Sequence, residues 1–390
     1  MINKKKKQVW TAAAVCLIIT QSTGTIYASS PEFARTESEW ARLQDDLIEY
    51  DELADLVKEY NATVQKNQID LNEFRKDYGD TNEKWAKRYR ELADEIESNL
   101  DYPDSDDSGY ATTMMTIVSQ ESQIDTLREY ADDALDDITI QYLAFQSAEA
   151  SLVSVAQSQM ISYYQNQLGL EMSYLNQALL QESYQSVVNQ RNAGAATDLA
   201  VLAAEENLRS ANQSVLQYEQ AIERSRQNLY VLLGWKHDDS PVIGTLPEVT
   251  TEQITALDPA ADKALALENN YTLRINKRKL ENAKSADKIE SLEKSIRENE
   301  QNIGASLTVY YQNVVSAGTA YELAQSQSAL EQQNLRTAEQ SFGLGSISRM
   351  AYITQKNTAE IAQLDVSAAR MNLLQALETY QWAVNGLADA

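Results

Sequence analysis

The chain has 390 residues, 43% of them hydrophobic, with 33 Lys plus Arg against 58 Asp plus Glu and a formal charge of −25. That apolar content fills a real core, which excludes a disordered acidic tail. The surplus of acids leaves too little clustered Lys and Arg for phosphate-backbone binding, so no nucleic-acid partner is expected. Cys16 and His237 are the sole members of their residue types, so no disulfide, thiolate zinc site or Ser–His–Asp triad can be assembled. A site built from carboxylates alone stays open, but the acids on long helices single out no pair. His237, in Trp235-Lys236-His237-Asp238-Asp239, is read as a solvated loop residue. No catalytic residue, metal or cofactor is expected, and the chain is read as a non-enzyme.

The chain opens with a positive run, Lys4 to Lys7, followed by an apolar stretch from Val9 to Thr20 and small residues up to Ala28 in Ile26-Tyr27-Ala28-Ser29. This is the layout of a secretory signal peptide, with cleavage after Ala28 and export from the cytoplasm. The residue before Cys16 is Val15, and a small-residue lipidation box is missing. No later segment approaches the ~18 continuous apolar residues of a membrane helix.

Five prolines and twelve glycines are too few breakers for a sheet protein. Residues 36–101 read as helix, with Trp40, Leu43, Leu47, Leu53 and Leu56 at helical spacing. Tyr102 to Gly109 form a turn cluster. Helical character then runs from about 112 to 192, which would span ~120 Å at 1.5 Å per residue. Asn192-Ala193-Gly194 interrupts it, and Thr197-Asp198 offers an N-cap for the next helix, which stops at Leu232-Leu233-Gly234. Residues 235–258, with Pro241, Gly244 and Pro247, form the one long linker. After Pro259 the chain is helical to about 342, with a turn required near 282–306. Gly343-Leu344-Gly345 breaks it, and a last helix runs to Gly386. The division is a signal peptide (1–28), a first helical repeat (29–234), the linker (235–258) and a second helical repeat (259–390).

The helices after the two glycine breaks carry a seven-residue seam. Val201, Leu208, Val215, Ile222 and Leu229 form one row, and Ala204, Ala211, Tyr218, Ser225 and Leu232 the other. Ala359, Val366, Leu373 and Tyr380, with Ala362, Ala369, Ala376 and Ala383, repeat the pattern. Small residues in the second row let helix axes approach closely. Setting Gly194 on Gly345 also matches Ala200 to Ala351, Ala211 to Ala362 and Val215 to Val366. A second pair of segments sets Asn61, Thr63, Asn67 and Leu71 on Asn270, Thr272, Asn276 and Leu280. The order is the same in each half: entry helix with an Asn, glycine break, heptad helix, terminal glycine.

Other motifs have plain readings. Asp104-Ser105-Asp106-Asp107-Ser108-Gly109 begins like a calcium loop, but its twelfth position is Met115 where a bidentate Glu is required, so it is read as an acidic turn. The tyrosines, including Tyr163, Tyr164, Tyr174 and Tyr184, are scattered along helices and read as packing residues. Asn61, Asn212 and Asn270 sit in Asn-x-Ser/Thr triplets inside expected helices and carry no weight as modification sites.

Gly194-Ala195-Ala196-Thr197-Asp198-Leu199-Ala200 and Gly345-Ser346-Ile347-Ser348-Arg349-Met350-Ala351, each followed by an Ala-rich helix ending in glycine, resemble the TolC-type outer-membrane efflux ducts. Leu246-Pro247 ahead of Ala264 and the Asn269-Asn270 helix follows the same order, and the resemblance covers most of residues 45–390. It implies an all-α fold of long antiparallel helical hairpins in two internal repeats, closing as a homotrimer into a coiled-coil tunnel with little or no β. It also implies a passive efflux or secretion conduit in the cell envelope. The turns at Gly194, Ala195, Ala196, Thr197, Asp198, Gly343, Gly345, Ser346, Ile347 and Ser348 would dock an extracytoplasmic adaptor, served by an export transporter. Two departures follow. Ala200 and Ala351 stand where the family usually has Asp. Between residues 101 and 118 there is room for at most one short strand pair, and 282–306 reads as helix, so a conventional membrane barrel is not expected. An exported coiled-coil spacer is the alternative reading.

Overall fold

The computed structural model describes residues 35–106, 108–236 and 239–390. The expected signal peptide of residues 1–28 and His237 lie outside them. Helix accounts for 82% of the structure and strand for 1%, in twelve α-helices. They are α1 (Glu37–Leu43), α2 (Leu53–Tyr60), α3 (Ala62–Tyr78), α4 (Asn82–Ser98), α5 (Tyr110–Asp132), α6 (Ile138–Asn192), α7 (Asp198–Leu232), α8 (Thr251–Thr255), α9 (Pro259–Asn269), α10 (Tyr271–Asn282), α11 (Ala286–Gly343) and α12 (Arg349–Trp382). Among the described residues the only strands are β1 (Leu47–Ile48) and β2 (Val242–Ile243), paired in parallel.

Nearly every helix of the two repeats starts on a residue whose side chain accepts from the first free backbone N–H groups. Thr36, Asn61, Thr81, Asp137, Thr197, Asp258, Asn270, Ser285 and Ser348 all play this part, and Pro259 follows Asp258 at the first helical position. These caps divide runs that apolar periodicity joins. Residues 36–101 are four helices rather than one, because β1 diverts the chain after α1, Asn61 restarts it and Gly79 turns it. The expected ~120 Å helix is likewise two. The break at 133–137 leaves α6 with 55 residues, about 82 Å.

That break is held from far along the chain. The Asp133 carboxylate accepts from the Lys284 and Ser285 backbone and from the Ser285 hydroxyl at the start of α11. Asp137, fully buried, caps α6 while accepting from Arg278 Nε at 2.7 Å and Asn282 Nδ2 at 3.0 Å. The turn required near 282–306 is this junction, residues 283–285. No strand occurs there, and the room at 101–118 holds an exposed turn and the start of α5. Helices α4 and α5 instead pack on one another around Trp85, Tyr89, Ala93, Ile124, Leu127 and Ala131, a core of their own.

The body is two long hairpins. Helix α6 packs along α7, α11 packs along α12, and the hairpins join through α6 and α12. The helices therefore lie in the order α7–α6–α12–α11, with α7 and α11 at the two edges. Most heptad positions face inward: Val215, Leu229 and Ala211 are buried in the first hairpin, and Leu373, Tyr380, Ala359 and Ala362 in the second, while Tyr218 keeps 37% exposure. One core gathers around Leu53, Val57, Met160 and Leu229, and another around Leu273, Ile303, Leu307 and Leu373.

The internal repeat is visible atom by atom. Asn61 caps α3 through its side-chain oxygen and donates from Nδ2 to the Leu232 carbonyl at 2.7 Å. Asn270 caps α10 and donates to the carbonyls of Ala388 (2.8 Å) and Gly386 (3.3 Å). The terminal glycine of each repeat meets the residue just before its Asn. A Cβ on Gly234 would lie 2.5 Å from the Tyr60 carbonyl oxygen, and one on Gly386 would lie 2.7 Å from that of Asn269. The last helix stops at Trp382, and a π turn over Ala383–Leu387 brings Gly386 into this contact.

Asn61→Ala and Asn270→Ala each remove a cap and leave buried carbonyls unpartnered. Each is expected to cost about 2 kcal/mol, read as a lowered midpoint in urea unfolding followed by circular dichroism. An unchanged midpoint for both would show that these residues do not close the repeats.

Candidate functional site at the hairpin turns

The two expected turns are built alike. At the end of α6, Gly194 takes φ 73°, its N–H donates to the Arg191 carbonyl, and the Ala195 N–H donates to the Gln190 carbonyl. At the end of α11, Gly345 takes φ 70°, its N–H donates to Phe342, and the Ser346 N–H donates to Ser341. This is the Schellman arrangement, which uses up the last carbonyls of the helix and calls for glycine at the left-handed position. Just beyond, the return helix is capped, Thr197 accepting from Ala200 N at 3.2 Å and Ser348 from Ala351 N at 3.1 Å. A handful of residues reverses the chain, with its polar backbone satisfied on both sides.

Of the ten residues the sequence singles out, Gly194, Ala195, Thr197, Asp198, Gly343, Gly345, Ser346 and Ser348 are exposed, while Ala196 and Ile347 are half-buried. A Cβ added at Gly194, Gly343 or Gly345 meets nothing within 4 Å. Both turns therefore end in open space. Beside them stand two apolar side chains that the sequence reading passed over, Leu199 (75% exposed) and Leu344 (83% exposed). Each adjoins a glycine turn and lies off the heptad rows, a signal that was present in the sequence.

Each turn is braced differently. Arg191 Nε bonds Asp198 at 2.7 Å across the first. At the second, Phe342 and Tyr352 stack with centroids 5.0 Å apart. Arg349 reaches Glu182 on α6 at 3.2 Å, tying the second hairpin to the first. Deeper in, Gln355 of α12 donates to Glu331 of α11 at 2.8 Å, and this bond, with those from Asn334 and Gln327, holds the Glu331 carboxyl below its usual range. Ile347, Ala351, Thr337 and Ser341 line a shallow groove above that bond. Ala200 and Ala351 add no carboxylate of their own beside Asp198 at the first turn. Small side chains, two exposed leucines and a shallow groove make up the surface at the turns.

No protein-family model matches the chain, and no curated protein matches it. Solved structures do. A membrane protein from Pseudomonas aeruginosa aligns over 94% of this chain and 96% of its own, with 11% identity and a TM-score of 0.57. CusC, described for its folding and transmembrane channel formation, aligns over 86% of this chain and 92% of its own, with 11% identity and a TM-score of 0.51. The outer-membrane channel OprN aligns over 90% and 93%, with 14% identity and a TM-score of 0.48. The first two likenesses run through nearly the whole of both chains, and at these identities they establish the fold. It is a TolC-like fold of paired long helical hairpins.

Gly194→Ala and Gly345→Ala are expected to cost only the left-handed strain, about 1–2 kcal/mol each. Gly234→Ala and Gly386→Ala must also displace backbone and should lower the thermal midpoint several-fold further. Equal losses at all four positions would contradict the open setting of the turns.

Proposed function

We propose that the chain is a passive TolC-like conduit component of the cell envelope, assembling as a homotrimer and docking an extracytoplasmic adaptor of an export pump through its two hairpin turns. The observation that carries this reading is the pair of matched turns facing open space at the ends of braced hairpins, each with an exposed leucine and small neighbours. Rigid scaffolds that end in such loops are where binding is commonly placed. The fold shared with a solved transmembrane channel supports a conduit, and the apolar run after Lys4 to Lys7 supports export. Among the described residues no helix is long and apolar enough to cross a membrane.

One observation favours a second reading, an exported coiled-coil spacer. Helices α4 and α5 and the short turn at 283–285 stand where each repeat of a duct would give barrel strands, which need about 9–11 residues each. Electron microscopy separates the two: hollow trimers support the conduit, and solid monomers or dimers sink it.

Ala196→Arg and Ile347→Arg place bulk and charge on the turns without touching the buried seam. They should leave helicity and assembly intact, while recovery of the adaptor on the tagged full-length chain falls tenfold or more and sensitivity to exported compounds rises. Val215→Asp, which buries an unpaired charge in the seam, should destabilise the hairpin by about 3–5 kcal/mol. Normal adaptor recovery and export in both turn variants would overturn the docking role.

A further inference from the structure

The layer of helices has a notch where α12 ends. Helices α6 and α11 run on past Trp382, whereas the chain after it winds into the π turn of Ala383–Leu387, and Leu387 alone of that turn lines the space left between them. The cavity there holds about 300 Å³. Trp382, Tyr310, Val155 and Leu387 form its apolar walls, and three hydroxyl side chains, Ser151, Ser154 and Thr379, complete the lining. None of these residues is charged. Ser151 and Val155 are exposed and stand about half a turn round α6 from Val153. Val153 is buried in the core that Ile243 and Leu246 of the linker cover, so the notch faces away from the linker.

The two rings are held from outside the cavity. Trp382 Nε1 donates to Gln157 at 2.6 Å, and the Tyr310 hydroxyl donates to Asp389 at 2.7 Å. Thr379 donates its hydroxyl to the Gln375 carbonyl at 2.8 Å and keeps lone pairs with which to accept. The serines are different. Ser173 and Ser214 turn their hydroxyls back onto the carbonyl four residues earlier, but Ser151 and Ser154 have no hydrogen-bond partner among the described residues. Nor does the internal repeat call for this lining. Setting Gly194 on Gly345 lays Trp382 on Val231, Thr379 on Asn228 and Tyr310 on Gln159, so the first hairpin folds alike without either ring.

From this lining we infer that the notch is a binding site for a neutral pyranose sugar. A pyranose is a ring with apolar C–H faces and a rim of hydroxyls. Its C–H groups are weakly positive and suit the negative faces of the Trp382 and Tyr310 rings. Its rim needs groups that both donate and accept, which a free serine hydroxyl does. The size agrees, since about 300 Å³ is the lower limit of small-molecule sites and admits one ring. Charge decides against the acidic and amino sugars. A carboxylate or ammonium brought against this lining would lose water and find no ion to replace it. A purely aromatic ligand would satisfy the walls but leave both serines unpaired and shut off from water. The open side of the notch lets the remainder of a longer glycan stay in solvent, so one unit of a polymer can enter as a free sugar does. This site stands apart from the turns, and its argument does not rest on the conduit reading.

Saturation-transfer-difference NMR on the full-length chain tests the site, with methyl β-glucopyranoside, cellotetraose, glucuronate and indole as probes. The glucoside is expected to give transfer strongest on its C–H protons. Its dissociation constant should rise about tenfold when Ser151→Ala and Ser154→Ala are combined, through the loss of two hydrogen bonds. Val155→Trp, at an exposed position, fills the notch from its open side and should abolish the signal. Circular dichroism and the thermal midpoint should be unchanged in both variants. Tighter binding of the glucoside marks a free sugar and tighter binding of the tetraose a glycan unit, and either upholds the site. Four results overturn it: no transfer from glucoside or tetraose at any soluble concentration, glucuronate bound as tightly as the glucoside, indole bound in preference to both sugars, or sugar binding that neither variant alters.

Discussion

One side chain closes each repeat. Asn61 joins the start of α3 to the end of α7, and Asn270 joins the start of α10 to the last turn after α12. In each case the amide oxygen takes the free N–H groups of a new helix while the amide nitrogen holds carbonyls at the end of an old one. The arms of the first hairpin are related by side-chain packing and by bonds such as Asn166 to Ser225, and the asparagine adds the entry helix to the end of the return arm. The glycine that follows each return helix, Gly234 or Gly386, lets the backbones approach closely enough for this bond. That clasp fixes where each entry helix meets the end of the return arm.

The opposite requirement operates where the repeats differ. In the second repeat α10 passes to α11 through residues 283–285. In the first, α4 and α5 intervene between α3 and α6. The two arrangements are locked together by Asp133 and Asp137, whose carboxylates serve α11, Arg278 and Asn282 as well as α6. Buried Asp137 is compensated by a guanidinium, an amide and a backbone N–H, the condition under which a carboxylate can be taken out of water. This junction gives the end remote from the turns a helical closure. The aromatic cluster of Phe74, Tyr78, Trp85 and Tyr89 stiffens the added hairpin from within.

Much of this was legible before any coordinates. Gly194 and Gly345, with Thr197 shortly after the first turn, follow rules that act over a few residues. The pairing of Asn61 with Asn270 emerged from the order of the two halves. The asparagines themselves were misplaced inside helices, because an N-cap between two helices shows the same apolar periodicity on both sides. The break at 133–137 was hidden for a different reason. Its acids read as a helix surface until Arg278, Asn282 and Ser285 arrive from more than a hundred residues away. The exposed leucines beside the turns were open to view, but a heptad reading assigns weight to rows and passes over residues that lie off them.

Elongation and apolar edges give the chain a large surface. The chain exposes 24414 Å², whereas a compact protein of this mass exposes about 15,000 Å². The first 34 residues cannot supply the difference, since even a fully extended chain of that length exposes only about 5,500 Å². What remains is several thousand square ångströms, more than a standard interface buries. Part of it follows from elongation, because a layer of four helices has two faces and two edges. The faces are rich in Gln, Ser, Asn and Thr and suit water. The edges also expose leucines and valines. Water is a poor solvent for such side chains. The sequence has written the same hairpin twice and packs the two against each other through α6 and α12.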